Sequence, residues 1–308
     1  MTTFASIDIG TNSIRLAIIE VKSRYDRKLL HKSRESVRLG REVFTSGRIG
    51  RETLLRAVRV CEDFKNVIDQ YGVAYTKAVS TSAVREAQNG DVFLDRVMRS
   101  SGIEVKIISW KEEARLIHRA IREEVDFQGR TGLLIDVGGG SVEVTIATQD
   151  EVLSSQSYNL GPVRLLHMLD AGSSDESAFF ARVREYVQTR HTRIQNRSKK
   201  KEIDFCVATG GSIETLDELH RQFYPKHVPK RLPVNDLGAM LEDLSRLSIV
   251  DRVKILNLPA DRADVIVPAS ILLDEFAAFA GVDEIYIPHC GLQDGLLLDL
   301  VSKSLKRY

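Results

Sequence analysis

Leu133-Leu134-Ile135-Asp136-Val137-Gly138-Gly139-Gly140-Ser141-Val142-Glu143-Val144-Thr145-Ile146-Ala147 is the stretch whose reading decides the fold. An apolar run delivers Asp136 to a strand end, three glycines turn the backbone, and alternating Val142, Val144 and Ile146 carry it away as a second strand. The predicted unit is a hairpin whose tip suits phosphate. Residues without a Cβ let successive amide N–H groups converge on an anion, and an adjacent carboxylate can hold the divalent cation that a polyanion brings with it. The same design occurs at residues 7–19. With Asp8 set on Asp136, Ile7 falls on Ile135, Gly10 on Gly138, Ser13 on Ser141 and Ile18 on Ile146. Two copies of one hairpin imply two similar half-molecules facing a shared cleft.

A chain of 308 residues is long enough for two domains with sizeable cores. With 44 Lys+Arg against 43 Asp+Glu, no global field draws it to nucleic acid or to anionic membrane, so any anion must be bound locally. Cys61, Cys206 and Cys290 are odd in number and far apart, with no Cys-x-x-Cys spacing. That pattern argues against a disulfide framework and a zinc site, and it fits a cytoplasmic setting. Met1-Thr2-Thr3 runs straight into the first strand without a charged leader, and the most apolar later stretch, residues 265–273, is about half a membrane span. The expectation is a soluble, unprocessed protein with neither nucleic-acid nor membrane partners.

Between the hairpins, charge-rich residues 20–36 lead to Val37-Arg38-Leu39-Gly40-Arg41, where the glycine predicts a turn. Leu54, Leu55, Val58, Cys61, Phe64 and Ile68 recur at helical spacing, giving a long amphipathic helix from Arg51 that covers the first sheet. Residues 75–79 read as a strand, and Ser80-Thr81-Ser82-Ala83-Val84-Arg85-Glu86-Ala87 follows as small hydroxyl residues before a helix bearing an arginine. A helix over 92–98 and a strand over 104–108 come next. Ser109 and Glu112 have the spacing of a capping box that opens a helix continued by Ala114, Ile117 and Ile121. Glu112 thereby has a structural job, while Glu113 points about 100° away and is free to face a cleft.

The polar connection at 124–131 marks the domain boundary, giving domains 1–126 and 127–308, with the last helix able to pack back on the first. The second half repeats the alternation: a strand at 152–158, a turn at Gly161-Pro162-Val163-Arg164-Leu165 entering a helix, and a long helix at 177–194. A strand at 204–208 feeds Thr209-Gly210-Gly211-Ser212 and a helix at 213–223. Pro225, Pro229 and Pro233 predict a loop before a helix at 237–247. Pro268 is read as an interruption ahead of a buried helix at 271–280, and a strand at 284–287 precedes the final helix at 291–305.

Taken together, Asp8-Ile9-Gly10-Thr11-Asn12-Ser13, the Thr81 to Ala87 segment, Ile108-Ser109 with Glu112-Glu113-Ala114-Arg115, and Asp136-Val137-Gly138-Gly139-Gly140-Ser141-Val142-Glu143 resemble the exopolyphosphatase / guanosine pentaphosphate phosphohydrolase (Ppx/GppA) family. Gly161-Pro162-Val163-Arg164-Leu165 and Arg262-Ala263-Asp264-Val265-Ile266 are similar to its later landmarks. The resemblance runs in order along nearly the whole chain. It implies an α/β, two-domain actin-like ATPase fold, shared with sugar kinases and heat-shock chaperones and ribonuclease H-like in each half, with mixed sheets flanked by helices. It also implies the short form, without the added C-terminal helical domain of longer members. By motif, Glu113 matches the catalytic glutamate and Arg85 a phosphate-binding arginine. Asp136 and Glu143 match the acidic residues of the second phosphate loop, and Asp8 their partner in the first. Trp110 stands where the family usually has glycine, Gln293-Asp294-Gly295 replaces a more typical arginine-glutamate-glycine, and Thr209-Gly210-Gly211-Ser212 matches the later glycine motif only roughly.

The chemistry follows from the residue types. Phosphoanhydride hydrolysis has a loose, anionic transition state, so placing the phosphoryl group, neutralising its oxygens and orienting a water supply most of the acceleration. Gly10, Thr11, Asn12 and Ser13 in one loop, and Gly138, Gly139, Gly140 and Ser141 in the other, supply phosphate donors. Asp8, Asp136 and Glu143 are the candidate Mg²⁺ ligands, because Mg²⁺ favours carboxylate oxygens and keeps part of its hydration shell. A monovalent cation such as K⁺ is left open. Arg85 would clamp a non-bridging oxygen with its planar fork. Glu113, ionised near a helix N-terminus, would orient the attacking water. Arg38, Arg41 and Arg164 carry less support than Arg85, the Arg197-Ser198-Lys199-Lys200-Lys201 run reads as solvated, and His118, His167 and His289 are dispersed.

The expected substrate is inorganic polyphosphate, cut at its terminal phosphate in the interdomain cleft, with guanosine pentaphosphate as the alternative. An actin-like-fold sugar kinase and a non-catalytic polyphosphate- or alarmone-binding protein are the more distant readings. The resemblance is compatible with a homodimer, which composition does not address.

Overall fold

A computed structural model describes residues 1–23, 26–169, 176–198, 203–226 and 228–305. The chain divides into two compact units, Met1–Ala120 with the chain from Gly291 onward, and Ile121–Cys290. Of the basic run, Lys199, Lys200 and Lys201 lie outside the described residues. Among the described residues no helix is long and apolar enough to cross a membrane.

In the first unit, β1 (Thr2–Ile9), β2 (Ser13–Val21) and β3 (Arg27–Ser36) form an antiparallel meander. Two helices follow, α1 (Gly40–Ser46) and α2 (Arg51–Gln70), and then β4 (Tyr75–Ser80) joins β1 in parallel. After α3 (Ser82–Glu86) and α4 (Gly90–Ser101), β5 (Val105–Ile107) pairs in parallel with β4 and leads into α5 (Trp110–Glu124). The sheet order is β3-β2-β1-β4-β5. Parallel neighbours need a helical crossover, and α2 and α4 provide it.

The second unit repeats this plan. β6 (Gly132–Val137), β7 (Val142–Ala147) and β8 (Val152–Tyr158) form its meander, followed by α6 (Pro162–Leu169), α7 (Glu176–Ser198) and β9 (Phe205–Thr209), which is parallel to β6. Then come α8 (Gly211–Phe223), β10 (Arg231–Pro233), α9 (Val234–Arg246), α10 (Ile249–Lys254), α11 (Ala260–Ala263), α12 (Ile266–Ala280) and β11 (Glu284–Tyr286). The order is β10-β11-β9-β6-β7-β8. Each unit therefore holds its hairpin at the centre of a mixed sheet flanked by helices, the duplicated α/β architecture of the actin-like ATPase fold. The closing helix, α13 (Leu292–Leu305), packs Leu297 and Val301 on Phe4, Ala17 and Ile19 of the first sheet.

Burial of the alternating hairpin residues drives both halves. Ile7, Ile9, Ile14 and Leu16 are buried with Leu54, Cys61 and Phe64 of α2, and Leu133, Ile135, Val137 and Val144 with Ile266 and Phe276 of α12. Each such side chain contributes about 1.5–3 kcal/mol when fully removed from water. Leu55 departs from the helical stripe and is exposed. None of the three cysteines is in a disulfide, and all are buried. Burial pushes the Cys206 thiol up to about 12, and burial together with the Glu62 charge does the same for Cys61.

Three sequence expectations are corrected by packing. Gly40 opens α1 rather than making the turn, which lies at Arg38 (φ 59°). A Cβ on Gly40 would come within 2.3 Å of Thr11 Cγ2, so close approach is what that glycine provides. Pro268 does not interrupt its helix; it sits in the first turn of α12, where a missing N–H costs nothing. The capping box is half made: Ser109 Oγ accepts from the Glu112 amide at 3.3 Å, but the Glu112 carboxylate is held by Arg115 Nε and Nη2 at 2.7 and 2.8 Å.

Candidate active site

In the first unit the candidate residues gather where β1, β4 and β5 end. Register pairs Ile9 with Ser80 and Ser80 with Ile107, so three parallel strands finish side by side. Open α/β sheets bind ligands at such carboxyl ends. Asp8 lies one residue before the end of β1, opposite Arg15 and Val79. The Gly10 amide donates to Ser13 O at 3.0 Å, closing a tight turn over Thr11, Asn12 and Ser13, which are all buried.

Hydroxyls tie this loop to the helix that carries Arg85. Thr11 Oγ1 and Ser82 Oγ share a 2.8 Å hydrogen bond, Ser80 Oγ donates to Ile9 O at 3.1 Å, and the Arg85 amide donates to Thr81 O at 3.0 Å. Arg85 Nη1 donates to Ile108 O at 2.8 Å and stands 3.6 Å from Glu113 Oε2. Glu113, in the first turn of α5, is only 5% exposed, so its carboxyl group lies in a largely dry place beside a guanidinium. Helix N-termini favour anions, which adds to that effect.

In the second unit Asp136 and Glu143 face each other across the β6–β7 register, each offering a carboxylate oxygen within 4.8 Å of the other. Two like charges so close are unfavourable without a cation between them. Thr209 Oγ1 donates to Asp136 Oδ1 at 2.6 Å and Ser157 Oγ to Glu143 Oε1 at 2.7 Å, which fixes both carboxylates. Thr209 is opposite Asp136 in the β6–β9 ladder, and Ser157 is opposite Glu143 in the β7–β8 ladder. The donors are all hard oxygen with oriented supports, so the pair can hold a divalent metal ion.

The second loop is pressed from behind. Val163 and Arg164 amides donate to Gly139 O at 2.9 and 3.2 Å, and Arg164 Nε donates to Gly140 O at 2.6 Å. A Cβ on Gly161 would lie 2.4 Å from Gly139 and Gly140 backbone atoms, so only glycine lets the chain approach. The Gly138 turn mirrors that of Gly10: a Cβ at either would meet the carbonyl of the residue three further on, Ser141 O at 3.1 Å and Ser13 O at 3.2 Å. Gly210 (φ 112°) lies against Val137 O at the end of β6 and needs a backbone conformation that side chains disfavour.

The structure thus brings Arg85 to Glu113 and to the first loop's unit, and Asp136 to Glu143 beside the second loop. Asp8 belongs to the first unit, so the metal set proposed from sequence draws on both. Sequence reading gave no orienting role to Thr209, Ser157 or Ser82 and placed Arg38 behind Arg85, because their partners are set by tertiary structure; only the strand registers, invisible in sequence, could have found Thr209 and Ser157.

Comparison with known proteins gives the family and the fold. A family model described as the Ppx/GppA phosphatase family matches residues 17–304. The chain is 29% identical over 325 residues to Exopolyphosphatase 2 of Mycobacterium tuberculosis, covering 97% of this chain and 99% of that one. Identity to Exopolyphosphatase 1 of the same organism is 25% over 300 residues, covering 95% and 86%. Among solved structures, the Aquifex aeolicus member of the Ppx/GppA family is similar at TM-score 0.80 and 26% identity, with 98% of each chain covered. An exopolyphosphatase from Cytophaga hutchinsonii ATCC 33406 reaches TM-score 0.91 at 24% identity over 98% of each chain, a likeness of fold.

Proposed function

The chain belongs to the Ppx/GppA phosphatase family, and we propose that it is an exopolyphosphatase, releasing terminal orthophosphate from inorganic polyphosphate with Mg²⁺ as cofactor. The observation that carries this reading is the repetition of one device in both units: a tight glycine turn following a carboxylate near a strand end, at Asp8–Gly10 and at Asp136–Gly138. A repetitive polyanion offers the same non-bridging oxygens to each such loop. The names of the Mycobacterium tuberculosis relatives support the same choice.

In this reading the amides of Gly10 to Ser13 and Gly138 to Ser141 receive non-bridging oxygens. Arg85, already anchored by Ile108 O, presents its remaining guanidinium edge to the phosphoryl group. Glu113 accepts a hydrogen bond from the attacking water and holds it in line with the bond to be cut. A carboxylate is a weak base, so its contribution is aim more than proton removal. Asp136 and Glu143, with Asp8, would hold the Mg²⁺, which supplies charge neutralisation to the phosphates when bound.

The test is phosphate release measured side by side on short polyphosphate, long polyphosphate and guanosine pentaphosphate. Release from polyphosphate supports the proposal. Release from the nucleotide alone would move the assignment to the phosphohydrolase side of the family, and release from neither would end it.

A further inference from the structure

Arg38 occupies a costly backbone conformation next to the first loop. Its φ of 59° is in the left-handed region, which a long side chain adopts only when its surroundings impose it. Those surroundings are hydrogen bonds to the loop. The Val37 and Arg38 amides both donate to Asn12 O, at 3.2 and 2.9 Å, and the Gly40 amide donates to Thr11 O at 3.0 Å. Arg56 Nη2 holds Val37 O from the far side. The side chain then turns onto the same residue, with Arg38 Nε donating to Asn12 Oδ1 at 3.3 Å.

That last contact determines more than position. A guanidinium has donors only, so the end of the Asn12 carboxamide facing it must be the oxygen. The Nδ2 end, which carries two donor hydrogens, is thereby directed away from Arg38. The second unit also sets an arginine against its loop: Arg164 Nε donates to Gly140 O, and Gly140 is the residue that aligns with Asn12 when Asp8 is set on Asp136. Where the loop residue has no side chain the arginine takes the main-chain carbonyl, and where it has a carboxamide the arginine takes its oxygen.

We propose that Arg38 is a positioning residue for polyphosphate binding, acting through Asn12: it fixes the polarity of that carboxamide so that the donor end serves the phosphate chain. The inference rests on the exopolyphosphatase reading and adds a residue to it. With the arginine removed, the carboxamide can rotate and offer its oxygen to an anion, so binding weakens while the fold does not.

The experiment compares the parent with Arg38→Gly, Arg38→Lys, Asn12→Ala and Arg38→Gly/Asn12→Ala. For each, kcat and KM are taken from phosphate release, affinity for a short polyphosphate from calorimetry, and Tm from thermal unfolding. Glycine relieves the left-handed strain, so Arg38→Gly should keep or raise Tm, by about 2–4 °C. KM and the dissociation constant should nonetheless rise about tenfold or more, the scale of one charge-assisted hydrogen bond. Arg38→Lys, which retains a donor but not the fork, should fall between. In the Asn12→Ala background Arg38→Gly should add no further loss, because its target is gone. Parent-like KM and affinity in Arg38→Gly would overturn the proposal, as would an undiminished effect in the Asn12→Ala background. If Arg38→Gly does not fold, the same cycle with Arg38→Lys decides. A parent that binds polyphosphate without turnover would sink the hydrolase reading and leave the binding cycle to judge Arg38, and a parent that does neither would sink both.

Discussion

Arg85 Nη1 and Glu113 Oε2 lie 3.6 Å apart, on two different helices of one unit. The pair sets a guanidinium beside a buried carboxylate, and it links the phosphate-binding candidate to the proposed water-orienting one. Glu113→Gln keeps the shape and removes the charge. Phosphate release should drop by about 10²–10⁴-fold while polyphosphate still binds. Steady-state release and calorimetry on the same preparation check this; turnover at the parent rate would remove Glu113 from the chemistry.

The carboxylates of Asp136 and Glu143 are each held by a hydroxyl, from Thr209 and Ser157. Thr209→Val removes the donor at nearly constant volume, and supports of this kind are worth about 10–100-fold in metal affinity. The Mg²⁺ concentration for half-maximal activity should therefore rise by about that factor, with the maximal rate recovered at high Mg²⁺. An unchanged Mg²⁺ titration would show that the hydroxyl does not serve a metal.

Gly161 abuts the second loop so closely that Gly161→Ala would put a methyl 2.4 Å from Gly139 and Gly140 backbone atoms. Backbone cannot yield as a flexible side chain does, so a loss of about 1–3 kcal/mol in stability is expected, with weaker phosphate binding. Urea unfolding and polyphosphate affinity measure the two effects.

Asp299 of α13 is buried and receives Lys303 at 2.9 Å, Lys77 at 3.0 Å and Arg115 at 3.1 Å. Burial alone would push its carboxyl up, but the hydrogen bonds from Lys303, Lys77 and Arg115 and the Lys77 charge outweigh that and hold it well below the usual range. A carboxyl depressed on folding contributes stability that is present above the unfolded value of about 4 and lost as pH falls through the folded one. Asp299→Asn should cost about 3 kcal/mol at neutral pH. The gap from the parent should stay constant down to about pH 5 and shrink below about pH 4. Denaturation across that range tests it, and a gap that does not narrow in acid would contradict the linkage.

What the sequence made legible was the local: both hairpins, whose apolar alternation and glycine turns are contiguous, and most helices. β3, Arg27–Ser36, was hidden because an edge strand bearing Arg27, Lys28, Lys32, Arg34 and Glu35 lacks the alternation of a buried one. β10 was hidden because three residues ending in Pro233 read as loop. Asp299 looks like an ordinary solvated helix charge, and its partners Lys77 and Arg115 are 222 and 184 residues away. The site residues could be nominated individually from motifs, whereas the contacts that aim them, such as Arg38 on Asn12, depend on registers and turns set by tertiary structure.

The most direct test of the exopolyphosphatase account follows the ³¹P spectrum of a long polyphosphate chain during incubation with the protein and Mg²⁺. Removal of terminal phosphates predicts growing orthophosphate and falling internal signal while the end-group signal holds steady, because each cut regenerates an end. A rising end-group signal without orthophosphate, or an unchanged spectrum, would contradict it.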